Sequence, residues 1–105
     1  MAINYKVAQA SGVTASTAVY TPSTSGVQAT IIGLLIANTT NSAATVTATL
    51  SNSGASTSLA YNVSIAKGTA LDMLNSSKVV VPYGYTVSVA SSNAVDVTIS
   101  VVEVS

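Results

Sequence analysis

Cysteine, histidine, tryptophan and phenylalanine are all missing from this chain of 105 residues, and its only charged side chains are Lys6, Lys67 and Lys78 against Asp72, Asp96 and Glu103. Each absence removes a chemistry. Without cysteine there are no disulfides, thiolate metal sites or cysteine nucleophiles, which fits a reducing compartment or a fold that needs no staple. Without histidine, and with each acid set among apolar or hydroxyl residues, no general acid and base pair is assembled and no carboxylate cluster offers a cation its oxygens. The many serines and threonines are nucleophiles only beside a base. The glycines stand singly, so neither a phosphate-binding loop nor a dinucleotide fingerprint occurs. No enzymatic activity, cofactor or metal is therefore expected, and no catalytic residue is named.

Scarcity of charge is the strongest compositional feature. Charged residues make up 6% of the chain, whereas a typical soluble domain has about 25%. The formal net charge is +0, so no field exists to attract nucleic acid or an anionic membrane surface. Charge repulsion between copies is missing too, and such a surface suits a protein that spends its life assembled. The longest apolar run, residues 31–37, has seven residues, where a membrane helix needs about twenty; it reads as a buried strand. The start, Met1-Ala2-Ile3-Asn4, lacks the basic and then apolar regions of a signal peptide, which makes synthesis in the cytosol the expectation.

What is present is aliphatic and hydroxyl. The apolar fraction of 49% comes almost wholly from Ala, Val, Ile and Leu, with the five tyrosines Tyr5, Tyr20, Tyr61, Tyr83 and Tyr85 as the only aromatics. A single domain of this length buries roughly two thirds of its unfolded surface, so a thin aliphatic core is within reach. Alternation of period two runs from end to end, as a strand with one inward and one outward face requires. Ala44, Val46, Ala48 and Leu50 interleave with Thr45, Thr47 and Thr49, and Val95, Val97, Ile99 and Val101 interleave with Asp96, Thr98 and Ser100. Val102 and Val104 continue the latter strand with apolar residues on both faces, which places it inside a sheet. Further strands are expected over 3–8, 14–20, 27–37, 58–65, 70–74, 78–81 and 85–90, with one helical turn as the alternative at 70–74. Turn-forming residues at 11–12, 22–26, 38–42, 51–56, 67–68, 75–77, 82–84 and 91–93 separate them. The expectation is an all-β fold, an antiparallel β-sandwich of immunoglobulin-like or jelly-roll-like kind with eight to nine short strands, occupying 1–105 as one domain. Gly33, within the most apolar strand, marks a bulge or a close backbone approach. Residues 1–12 carry little core material beyond Ile3, Tyr5 and Val7, and form either an edge strand or an extended arm onto a neighbour.

Asp96 and Glu103 alternate with valines on the final strand and are expected to point outward as solubilising charges. Asn38, Asn62 and Asn75 each begin an Asn-x-Ser/Thr pattern, which chance explains in a chain this rich in those residues. Tyr83 and Tyr85 flank Gly84 after Pro82, either as a stacking or interface pair or as a corner with one ring covering the core edge. The candidate interface residues are accordingly Ile3, Tyr5, Val7, Tyr83 and Tyr85.

Residues 31–40, Ile-Ile-Gly-Leu-Leu-Ile-Ala-Asn-Thr-Thr, and 94–105, Ala-Val-Asp-Val-Thr-Ile-Ser-Val-Val-Glu-Val-Ser, resemble small virion structural proteins of tailed phages, notably cyanophages. The resemblance spans 27–105, including a Lys-Gly turn and a late Pro-Tyr-Gly corner. It implies a structural protein with no catalytic residues: a capsid decoration or cement protein, homo-oligomeric and expected as trimers, bridging copies of the major capsid protein. A tail, neck or fibre accessory is the alternative within the virion. A carbohydrate-binding module is the third reading, weakened by the absence of tryptophan.

Overall fold

The computed structural model describes residues 3–22, 25–74 and 78–104, and every element in it is a strand. The nine are β1 (Ile3–Val13), β2 (Thr17–Tyr20), β3 (Gln28–Asn38), β4 (Ala44–Ser51), β5 (Ser56–Ile65), β6 (Ala70–Asp72), β7 (Val79–Pro82), β8 (Thr86–Ser91) and β9 (Val95–Val104). They form two antiparallel sheets. The first has the order β1-β9-β3, with β6 and β7 pairing successive lengths of the far side of β3; the second has the order β2-β8-β4-β5. Only the β4–β5 hairpin and the β6–β7 connection stay within one sheet. The fold is an antiparallel β-sandwich.

Alternating apolar side chains explain why the two sheets stack. Ala29, Ile31, Leu34 and Ile36 of β3, Val95, Val97, Ile99 and Val101 of β9, Ala44, Val46 and Ala48 of β4, and Val87 and Val89 of β8 are all buried and meet in one core. Nearly all are β-branched or small, which suits a pleated surface and leaves the core thin. At 45 × 28 × 21 Å the molecule is long relative to its thickness.

In the first sheet two places depart from regular pairing. Across β3 and β9, Ile31 faces Val101 while Gly33 faces Ser100, so Ile32 is the extra residue of a β-bulge. This shift lets Ile31 and Leu34 both point inward, and turns Ile32 and Leu35 out of the core. The apolar run at 31–37 is thus a central strand buried on one face only, because a sandwich offers each strand one inner side. The break expected at Ser11-Gly12 is a second bulge, within β1: Gly12 has φ +64, a left-handed conformation that glycine takes without steric cost, and the strand continues to buried Val13. The segment weighed as an edge strand or an arm lies along β9 as an edge strand from Ile3. At 70–74 the strand reading holds for Ala70–Asp72, and a turn follows at Met73 and Leu74. The turn at 75–77, and the glycosylation pattern at Asn75, lie outside the described residues.

Candidate functional site

Register decides which side chains share a surface. On the outer face of the first sheet, Ile3, Val104, Gln28 and Pro82 form one row across β1, β9, β3 and β7, and Tyr5, Val102, Thr30 and Val80 form the next. Val7, Ser100 and Gly33 make a third row, with bulged Ile32 beside them. Tyr5 is 79% exposed and Val80 59%, and Ile3, Val7 and Ile32 are exposed as well. No charged side chain lies in these rows. Farther along the sheet the rows turn polar, with Gln9, Thr98, Leu35 and Asp72 and then Asp96, Ala37 and Ala70. One end of this face is an uncovered apolar patch.

The opposite outer face has a different character. Thr45, Thr47, Thr49 and Ser51 of β4 stand there beside Ser64 and Ser58 of β5 and Thr86 and Ser88 of β8. Hydroxyls line it.

Of the residues singled out in the sequence, Ile3, Tyr5 and Val7 come together on the apolar patch. Tyr83 follows Pro82 at the far edge of the same end of the sheet, about 14 Å away across three strand spacings. The Pro82-Tyr83-Gly84-Tyr85 corner is a turn closed by the Tyr85 amide donating to the Pro82 carbonyl at 3.1 Å, with Gly84 at φ +92. It carries the chain from one sheet to the other. Tyr83 is exposed and Tyr85 packs against the core, so the two rings have separate surroundings. Val102 and Val104, legible as apolar residues on the second face of their strand, join the patch, and so do Val80 and Ile32, which single-strand patterns did not mark. Their signal is the apolar outward position of a strand that is already apolar inward.

The expectation that both acids of the final strand point outward fails for Glu103. Glu103 points into the sandwich, being only 8% exposed, while Asp96 points out. The two are an odd number of residues apart on an unbulged strand, which puts them on opposite faces. Inside, Glu103 Oε2 accepts the Tyr20 hydroxyl at 2.6 Å and Oε1 accepts Lys6 Nζ at 2.9 Å. The Tyr20 and Lys6 hydrogen bonds hold the carboxyl below the usual range against a smaller opposing effect of burial. Burial, and then the carboxylate, push the Tyr20 phenol up. The network ties the edge strand β1, the central strand β9 and β2 of the other sheet.

The other acids are bound to the chain's own amides. Asp96 Oδ1 accepts Gly12 N–H at 3.2 Å and Asp72 Oδ1 accepts Leu74 N–H at 3.1 Å. Beside Asp96 lies an open depression of about 370 Å³, lined by Gln9, Ala10, Ser11, Asp96, Val97 and Thr98. Ser64 and Lys67 stand at a Ser-x-x-Lys spacing. That spacing joins the two side chains on a helix, but Ser64 is in β5 and Lys67 in the turn after it, and no hydrogen bond links them.

No family model matches the chain, and no curated protein or solved structure matches it. The functional reading therefore rests on the two unlike faces. Asn38 and Asn62, the two described glycosylation patterns, serve the fold: both Nδ2 hydrogens of Asn38 are given to the Ser42 and Ile65 carbonyls at 2.8 and 2.9 Å, and Asn62, at φ +50, bonds Thr47 across the hairpin.

Proposed function

We propose that this chain is a structural protein of a phage virion, a capsid decoration or cement protein that binds and stabilises the head lattice. The observation that carries the reading is the outer face of the sheet built from β1, β9 and β3. At one end its central strands carry apolar residues on both sides, with Ile32 of β3 and Val102 and Val104 of β9 on the outer one, the pattern of strands covered on both faces, yet that outer face is open in the single chain. An apolar patch on so small a body is an interaction surface, and covering it removes apolar area from water.

The hydroxyl-lined face of the other sheet is the solvent side. The patch is the side that meets the major capsid protein or another virion protein, and additional copies of the chain complete the assembly. The protein acts by adding area at lattice contacts. Its place is the virion, after synthesis in the host cytoplasm.

Purified heads test the reading. Wild-type chain added to heads that lack it should saturate at a copy number approaching that of the major capsid protein, read by gel densitometry. Val80→Lys, which sets a charge on the β7 side of the patch, should lose most of that occupancy with an unchanged melting temperature. A copy number far below that of the capsid protein in native particles would instead favour the tail, neck or fibre accessory.

A further inference from the structure

Among the described residues the sandwich has four free sheet edges, and three carry features that prevent a foreign strand from pairing with them. β2 is only four residues long and its register shifts between Ala18 and Tyr20. β5 has two register shifts against β4 and a left-handed Asn62. The fourth strand position of the first sheet is split into β6 and β7, and β7 ends in Pro82.

β1 has none of these over most of its length. From Ile3 to Ala10 it is in unbroken register with β9, contains no proline, and is hydrogen-bonded along one side only. Its single charge, Lys6, is the one group that would repel a partner strand, and that charge is compensated within the chain by Glu103 at 2.9 Å.

We infer that β1 is a homotypic pairing strand, joining two copies edge to edge as antiparallel neighbours about a two-fold axis at Tyr5. The strand is self-complementary in that register. Tyr5 meets Tyr5 of the second copy, Ile3 meets Val7 and Val7 meets Ile3, so the outer face gains only apolar cross-strand pairs. On the inner side Lys6 meets Asn4, so no two lysines face each other. Over Ile3–Val7 the free N–H and C=O groups of the two edges satisfy each other, as in strand addition to a sheet edge, and the contact is isologous. The two apolar patches become one continuous surface across the axis. This two-fold arrangement replaces the trimer implied by the resemblance, and it stands on the edge geometry whether or not the partner surface belongs to a capsid.

The test is sedimentation velocity and native mass spectrometry of the full chain over a dilution series, with hydrogen exchange read at β1. The wild type should form a concentration-dependent dimer in which β1 amides gain protection. Tyr5→Lys and Tyr5→Glu should each be monomeric with an unaltered circular dichroism spectrum, and their equimolar mixture should recover the dimer. A wild type that stays monomeric, a trimer, or a dimer that both variants retain would overturn the inference. If a variant does not fold, wild-type exchange decides: β1 protection that does not change with concentration overturns it.

Discussion

Glu103 survives against an aliphatic core because both its oxygens are occupied, by Tyr20 and by Lys6. Since the folded chain holds this carboxyl below its ordinary value of 4.5, the unfolded chain takes up the proton first on acidification. Its stabilising contribution is complete above that value and is gone once the pH has fallen through the lower folded one. Tyr20 is the mirror case: its phenol is raised above 10.0, so its contribution is complete below that pH and is lost as the pH rises further. Melting temperature measured against pH should show a plateau with a fall at each end, and Tyr20→Phe should make both falls shallower. Asn38 is the other residue on which local order depends. It is 1% exposed, and beyond its two donated bonds its Oδ1 accepts from the Thr40 amide at 3.0 Å and the Thr40 hydroxyl at 2.6 Å. Its own backbone bonds Thr69 and Gly68. The end of β3, the turn into β4 and the turn after β5 therefore meet in one amide. Asn38→Ala should cost about 1–3 kcal/mol in denaturant unfolding, the penalty of buried groups left unpaired. The bonding partners were not legible in the sequence, where Asn38 was one more residue of a polar turn; the inward side of Glu103 was, through its parity with Val95, Val97, Ile99 and Val101.

At the scale of elements, most strands were legible because alternation of period two survives in any one window, whereas their ends were not. Ser11-Gly12 had the composition of a chain reversal and is a bulge. A left-handed residue produces either outcome, and the long pairing of β1 with β9 selects the one that keeps the strand in the sheet. A side chain placed at Gly12 would meet open space, but the backbone there has φ +64. Gly12→Val should therefore destabilise by backbone strain alone, about 1–2 kcal/mol, and Gly12→Asn by less. Equal melting temperatures for the two variants would argue against strain. The bulge at Ile32 was flagged by Gly33, and its consequence, an apolar residue turned outward, was not. Register with Ser100 and Val101 is a property of two strands far apart in the chain.

For the whole molecule, the difference between the two outer faces sets what it can do. The association proposed for the apolar patch depends on area removed from water, so the proposed binding to heads should persist as salt rises from about 0.1 to 1 M, although the screening length falls from about 10 to 3 Å. Sulfate should strengthen it. Steep loss of binding across that range would point to charged contacts instead. The sequence by itself determined that the chain is all-β, that its core is aliphatic and that charged side chains are few, because composition and short-range alternation are local quantities. It also named Ile3, Tyr5 and Val7 as candidate interface residues on an edge strand or arm. Only the tertiary structure decided that these residues share a face with Val80 and Val102, that Glu103 holds the edge strand, and that β1 is the one unguarded edge among the described strands. The inward side of Glu103 is already set by its parity with Val101, but its partners, the shared face and the free edge follow from pairing between distant strands, which fixes the neighbours of a side chain and has no signature within any single stretch of sequence.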